Sequence, residues 1–154
     1  MITTSYKDEL ARSGKIIFTV KGVSMRPLFR ASTDAIFVVS CVPDSLKNLD
    51  IVLFLRPGPN GIQYVLHRIV RRRADGMYLI AGDNCTDYDV VAPSDILGVV
   101  TSAKRGDKEI ALSGFGYWLY KYLWCAPYGL RFFVLKVYHK IRHLGSVILH
   151  GRRK

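Results

Sequence analysis

From Lys15 onward the chain is built of short β-branched and aromatic runs, IIFTV, AIFVV, DIVLFL, QYVLHRIV, MYLIA, ILGVV and EIAL, separated by turn-forming residues. Each run has the length of a strand and is too short for an ordinary helix. The separators include Pro57-Gly58-Pro59-Asn60-Gly61 and Asp75-Gly76, residues that favour tight turns. About seven strands in so short a stretch, with no helical segments between them, predict a mainly β, partly closed antiparallel domain rather than a parallel α/β sheet. Ahead of the first strand, Ser5 followed by Asp8 resembles a capping box and predicts a turn or two of helix, stopped by Gly14.

Beyond Ser113 the chain becomes aromatic and basic, and two helices are expected there, broken near Pro127 and Gly129. This divides the molecule into a β-domain over 1–113, with its short N-terminal helix, and a basic amphipathic helical extension over 114–154. Lys121, Arg131 and Lys136 interrupt the apolar runs, so none reaches the roughly 18 uncharged residues of a membrane span. Lys136, Lys140 and His143 recur at helical spacing, while Phe132, Phe133, Leu135 and Ile141 supply apolar surface. Two readings stay open: a basic helix lying on an anionic membrane, or a helix that covers one face of the β-domain. No internal repeat or low-complexity segment is present.

Nearly half of the 154 residues are hydrophobic and 23% are charged, which excludes the composition of a disordered chain. The net charge of +11 points to a phosphate-bearing partner, lipid or nucleic acid. Many cations lie in the run Arg71-Arg72-Arg73, read as a solvated face, and in the tail from Lys121 to Lys154. No helix-turn-helix or aromatic RNA-binding box accompanies them, which argues against nucleic acid. Cys41, Cys85 and Cys125 are odd in number and widely spaced, fitting neither a disulfide framework nor a metal set. The N-terminus MITTSYKDEL is polar and acidic, unlike a secretory signal. The expected location is cytoplasmic or peripheral to a membrane.

Three segments carry candidate chemistry. Gly22-Val23-Ser24-Met25-Arg26-Pro27 follows the first strand and holds Ser24 in a tight, exposed turn. A serine hydroxyl is a weak nucleophile and needs a base beside it. His67 lies in QYVLHRIV, where strand alternation puts Val65, His67 and Ile69 on one face and Leu66, Arg68 and Val70 on the other. Its neutral imidazole is the form that accepts a proton. Gly82-Asp83-Asn84-Cys85-Thr86-Asp87-Tyr88-Asp89 is an acidic loop after MYLIA whose carboxylate can orient a histidine. Taken singly, each segment also has a structural reading: an ordinary turn, a satisfied core histidine, and an Asx-rich or weakly cation-binding loop without EF-hand spacing.

Together these segments resemble the Ser-His signal peptidases of archaea, spore-forming bacteria and the endoplasmic reticulum, within the superfamily that includes LexA. The resemblance runs from about Phe18 to Val100, in the family's order: GVSMRP, the strand Asp50-Ile51-Val52, His67-Arg68-Ile69, Gly82-Asp83-Asn84, and the closing strand ILGVV. It implies Ser24 as nucleophile, His67 as base and an aspartate of the acidic loop as third member. A gapless match gives that place to Asp89, leaving Asp83 to tie down the loop through backbone hydrogen bonds and Asp87 exposed. Leader peptidases and LexA-like autoproteases use lysine where His67 stands, and this chain has no lysine between Lys47 and Lys104. Two departures stand out. The family's S-G-S-M reads Gly22-Val23-Ser24-Met25 here, so a hydroxyl that helps form the oxyanion hole is missing, and the N-terminal membrane anchor is not seen.

The resemblance implies a serine endopeptidase that takes an extended peptide, a leader or precursor, as an added strand beside the strand preceding Ser24 and cuts beside small apolar residues without metal or organic cofactor. The alternative is a catalytically idle β-domain that binds anionic membrane or nucleic acid through its basic tail. A self-cleaving regulator is disfavoured by the missing lysine and the missing DNA-binding domain.

Overall fold

A computed structural model describes residues 5–59 and 61–151, with side chains through 143. Helix α1 (Tyr6–Ser13) starts as the capping box requires: the Ser5 side chain accepts from the Asp8 N–H, and Gly14 closes the helix in the left-handed region at φ 71°. Eight strands follow: β1 (Lys15–Phe18), β2 (Asp34–Ser40), β3 (Ile51–Gly58), β4 (Gly61–Arg72), β5 (Tyr78–Ala81), β6 (Asp89–Val91), β7 (Ile96–Arg105) and β8 (Lys108–Glu109). All pair antiparallel in the order β1-β2-β7-β3-β4-β5-β6, with β8 on β7.

The sheet is mainly antiparallel as expected, but it is not a closed barrel, and β1 and β6 stand at opposite ends of its order. The run EIAL contributes only its first residue to the two-residue β8, and an unforeseen short strand, β6, lies at the end of the acidic loop. Pairing of Ile80 with Asp89 gives β6 its register, so the loop ends on a strand rather than in an open turn.

Alternation on β3 and β4 divides the core in two. Leu53, Ile51 and Leu66 join Ile16, Phe18, Ile36 and Val38 in one cluster. Val52, Phe54 and Ile69 join Tyr78, Ile80 and Val91 in the other. Because Val52 is paired with His67 and Phe54 with Val65, His67 falls on the second face, and its ring lies 6.1 Å from that of Phe54. Glycine is required at Gly98 of β7, where a side chain would collide with the Val39 carbonyl.

The C-terminal part forms α2 (Gly114–Leu119), a wide π-helical turn (Tyr120–Cys125) and α3 (Tyr128–Gly151), with the break at Ala126-Pro127 as the proline predicts. Of α3's described side chains only Arg131 and Leu135 are buried, and every residue from 136 to 143 is exposed. Leu135 thus faces inward and is not part of the exposed apolar surface. Among the described residues no helix is long and apolar enough to cross a membrane.

Candidate active site

The segment after β1 turns sharply at Gly22, whose φ of 83° favours glycine. Met25 and Phe29 anchor the turn in the core, and the Phe29 N–H donates to the Met25 carbonyl at 2.9 Å. Ser24, just ahead of Met25, stays half-buried at the rim of a cleft of about 530 Å³ that also contains His67, Lys21, Arg56, Tyr64 and Cys85. Tyr6 and Phe18 form its apolar end, with ring centroids 5.3 Å apart.

Two loops meet at this rim. The Asn84 N–H donates to the Ser24 carbonyl at 2.8 Å, and its side-chain amide donates to the Val23 carbonyl at 3.3 Å. Gly82 lies where the loops and β4 come closest: a Cβ there would sit 2.6 Å from the Ser24 carbonyl oxygen, 2.7 Å from Cys85 Sγ and 3.1 Å from His67 Nε2. The Ser24 turn and the imidazole therefore approach each other across a glycine. Among the described residues no hydrogen bond joins the Ser24 and His67 side chains.

His67 is 5% exposed, and its Nδ1 is buried with no hydrogen-bond partner closer than the Asp89 carboxylate, whose Oδ2 lies 3.6 Å away. Side chains of paired residues share a sheet face, so Ile69, Ile80 and Asp89 project on the side that carries His67. Arg56 Nη1 donates to both Asp89 oxygens at 3.2 and 3.1 Å. Burial alone would raise the Asp89 pKa, but His67 and Arg56 outweigh it and hold the carboxyl below its ordinary value.

Asp83 is placed elsewhere. Its side chain is fully buried and bound fork-to-fork by Arg68, with Nε to Oδ1 at 2.8 Å and Nη2 to Oδ2 at 2.7 Å. The Tyr120 hydroxyl donates to Oδ2 at 2.7 Å, Trp124 Nε1 donates to the Asp83 carbonyl at 3.2 Å, and Arg131 Nη1 lies 3.8 Å from Oδ1. Asp83 does tie down the loop, though through an arginine and a tyrosine rather than through backbone N–H groups. Arg68 also donates to the Leu49 carbonyl and the Tyr117 hydroxyl. Burial alone would lower the Arg68 pKa, and the bidentate carboxylate reverses this, so its charge is held firmly. Burial and the Asp83 charge push Tyr120 up and raise the Cys125 thiol to about 11.

Asp87 is exposed, and the Arg71-Arg72-Arg73 run is exposed too, with Arg72 on Asp44 and Arg73 on Asp75. Sequence reasoning missed the partners of the acidic loop. Arg68 was visible inside the His67-Arg68-Ile69 box, and a buried acid needs a cation nearby. Arg56, Tyr120, Trp124 and Arg131 carried no local signal, because only tertiary packing brings them in. The three cysteines are free, and no cluster of metal-ligating side chains occurs among the described residues.

Compared with known proteins, the chain matches no family model, no curated protein and no solved structure.

Proposed function

We propose that this chain is a serine endopeptidase of signal-peptidase-like type, with Ser24 as nucleophile, His67 as general base and Asp89 as the carboxylate that orients His67. The observation that carries the reading is that Ser24 and His67 border one cleft, while the far nitrogen of His67 faces Asp89. The open antiparallel sheet, with Ser24 on the turn after β1 and His67 on β4, supports the corresponding variant of the LexA and signal-peptidase fold.

An extended peptide has a place to lie. Within β4 only Arg68–Arg72 pair with β5, so among the described residues the β4 edge before His67 has no strand on that side, and the residues Thr19 to Lys21 line the same cleft. A substrate strand entering here gains backbone hydrogen bonds on an unpaired edge. Ser24 Oγ then attacks the scissile carbonyl carbon as His67 Nε2 takes its proton. The tetrahedral adduct collapses, the C–N bond breaks, and His67 returns the proton to the leaving amine. Water, deprotonated by His67, hydrolyses the resulting ester. The Ser24 N–H is the nearest candidate for the oxyanion donor, since Gly22 offers no hydroxyl.

The test is labelling with a serine-reactive fluorophosphonate followed by mass spectrometry. Stoichiometric modification of Ser24, lost in His67→Ala, supports the reading. An unlabelled wild-type protein would sink it, because a turn serine without a base does not react.

A further inference from the structure

We infer that α3 and the preceding aromatic turn form a docking surface for an anionic lipid bilayer, on which the protein lies peripherally. This stands whether or not Ser24 is a nucleophile.

The first observation is the exposed stripe of α3. Leu130, Val134, Val137 and Ile141 follow one another at helical spacing and are between 41 and 64% exposed, with Phe133 and Tyr138 flanking them. Residues four, three and four apart lie above one another on one helix face. This stripe is not the face that meets the β-domain, which is marked by the buried Arg131 and Leu135. The helix therefore keeps one side on its own protein and presents a second, apolar side to its surroundings.

The second observation is charge. From Ile110 to the C-terminus the sequence contains no aspartate or glutamate. On α3, Lys136 and Lys140 lie on the polar side with His139, next to the apolar stripe. A helix that is apolar on one side and carries lysines and no acid on the other matches the two phases of a negatively charged bilayer surface, acyl chains below and phosphates at the level of the lysines.

A third observation extends the surface. Phe115 and Leu123 are 75 and 69% exposed, Phe115 stacks on Trp118 with centroids 6.1 Å apart, and Trp118 leans on Tyr122 at 5.3 Å. Tryptophan and tyrosine favour the headgroup level, where an apolar ring and a polar tip are both satisfied. A nucleic-acid backbone would use the cations but leave this apolar surface in water. No helix of the described part is apolar enough to cross the bilayer, so the contact is in plane.

Flotation of the full chain with vesicles of phosphatidylcholine and phosphatidylglycerol in roughly 7:3 ratio tests it. The protein should float with these vesicles at low salt and much less at high salt, and it should ignore pure phosphatidylcholine. Lys136→Gln with Lys140→Gln should weaken binding roughly thirtyfold. Val137→Ser with Ile141→Ser should abolish most of it at unchanged melting temperature, since both side chains are exposed. Failure to float at low salt overturns the inference. So does flotation insensitive to both double variants, retention by duplex DNA in place of vesicles, or loss of self-association rather than of lipid binding in the Val137→Ser, Ile141→Ser protein.

Discussion

Asp89 stands behind His67, its Oδ2 3.6 Å from Nδ1, while Arg56 grips both oxygens of the same carboxylate. The acid is thus held in place by one partner and aimed at another. If it orients His67, Asp89→Asn should lower turnover of any cleaved peptide roughly a hundredfold or more, because an amide fills the space without stabilising the imidazolium. The melting temperature should hardly move. Unchanged turnover in Asp89→Asn, together with loss in a stably folded Asp83→Asn, would exchange the two roles.

Ser24→Ala and His67→Ala should each remove cleavage almost completely, and the double variant should be no worse than either, as members of one catalytic unit behave. Both should keep the wild-type circular dichroism spectrum. Wild-type turnover in His67→Ala would end the dyad assignment.

Gly82→Ala tests the close approach of the two loops. The added methyl meets the Ser24 carbonyl at 2.6 Å, a backbone atom, so the turn that carries Ser24 must shift. An ångström-scale misplacement near the reacting atoms costs on the order of 100-fold in rate. Kinetics of Gly82→Ala should show a fall in kcat, with slower phosphonate labelling of Ser24.

Asp83→Asn should destabilise the fold by about 3–5 kcal/mol, the usual cost of leaving a buried charge without its partner, because the Arg68 side chain it abandons is only 1% exposed. Replacing both partners with apolar residues, Arg68→Met with Asp83→Leu, should recover part of that loss. Urea denaturation of the single and double variants measures the difference.

Asp34 gives the acid limb of stability. Burial would raise its pKa, but Arg105, the Arg30 N–H and Thr33 together bring it below the ordinary value. A carboxyl whose pKa is lower in the folded state adds stability above its unfolded pKa and loses it as pH falls through the folded one. The stability gap between wild type and Asp34→Asn should therefore be constant above about pH 5 and narrow steadily below about pH 4. A gap that widened on acidification would contradict this.

Much of the fold was legible because the sheet rests on local signals. The β3 and β4 alternation put His67 on the face of Val65 and Ile69, as the sequence implied, and the Ser5 cap and the Pro127 break acted where such residues act. Strand β6 was not legible: DVV is too short to show a period, and only its pairing with β5 makes it a strand. The inward turn of Leu135 and the burial of Arg131 were equally hidden, since a helical repeat reveals two sides of a helix but not which one meets the domain. The roles of Asp83 and Asp89 were separable only as far as a motif match could carry, because the sheet register that aims one at His67 and the other at Arg68 is a property of the paired chain.

The carboxylate of Asp83 is shared between Arg68 of the sheet and Tyr120 of the C-terminal segment. This joins in inheritance what the sequence keeps apart. The stretch from Tyr117 to Arg131 cannot be exchanged like a cassette for another tail, because whatever replaces it must again satisfy a buried guanidinium and a buried acid. Across descendants of this chain, positions 68, 83 and 120 should change in concert or not at all, and the extension should share the ancestry of the sheet it completes.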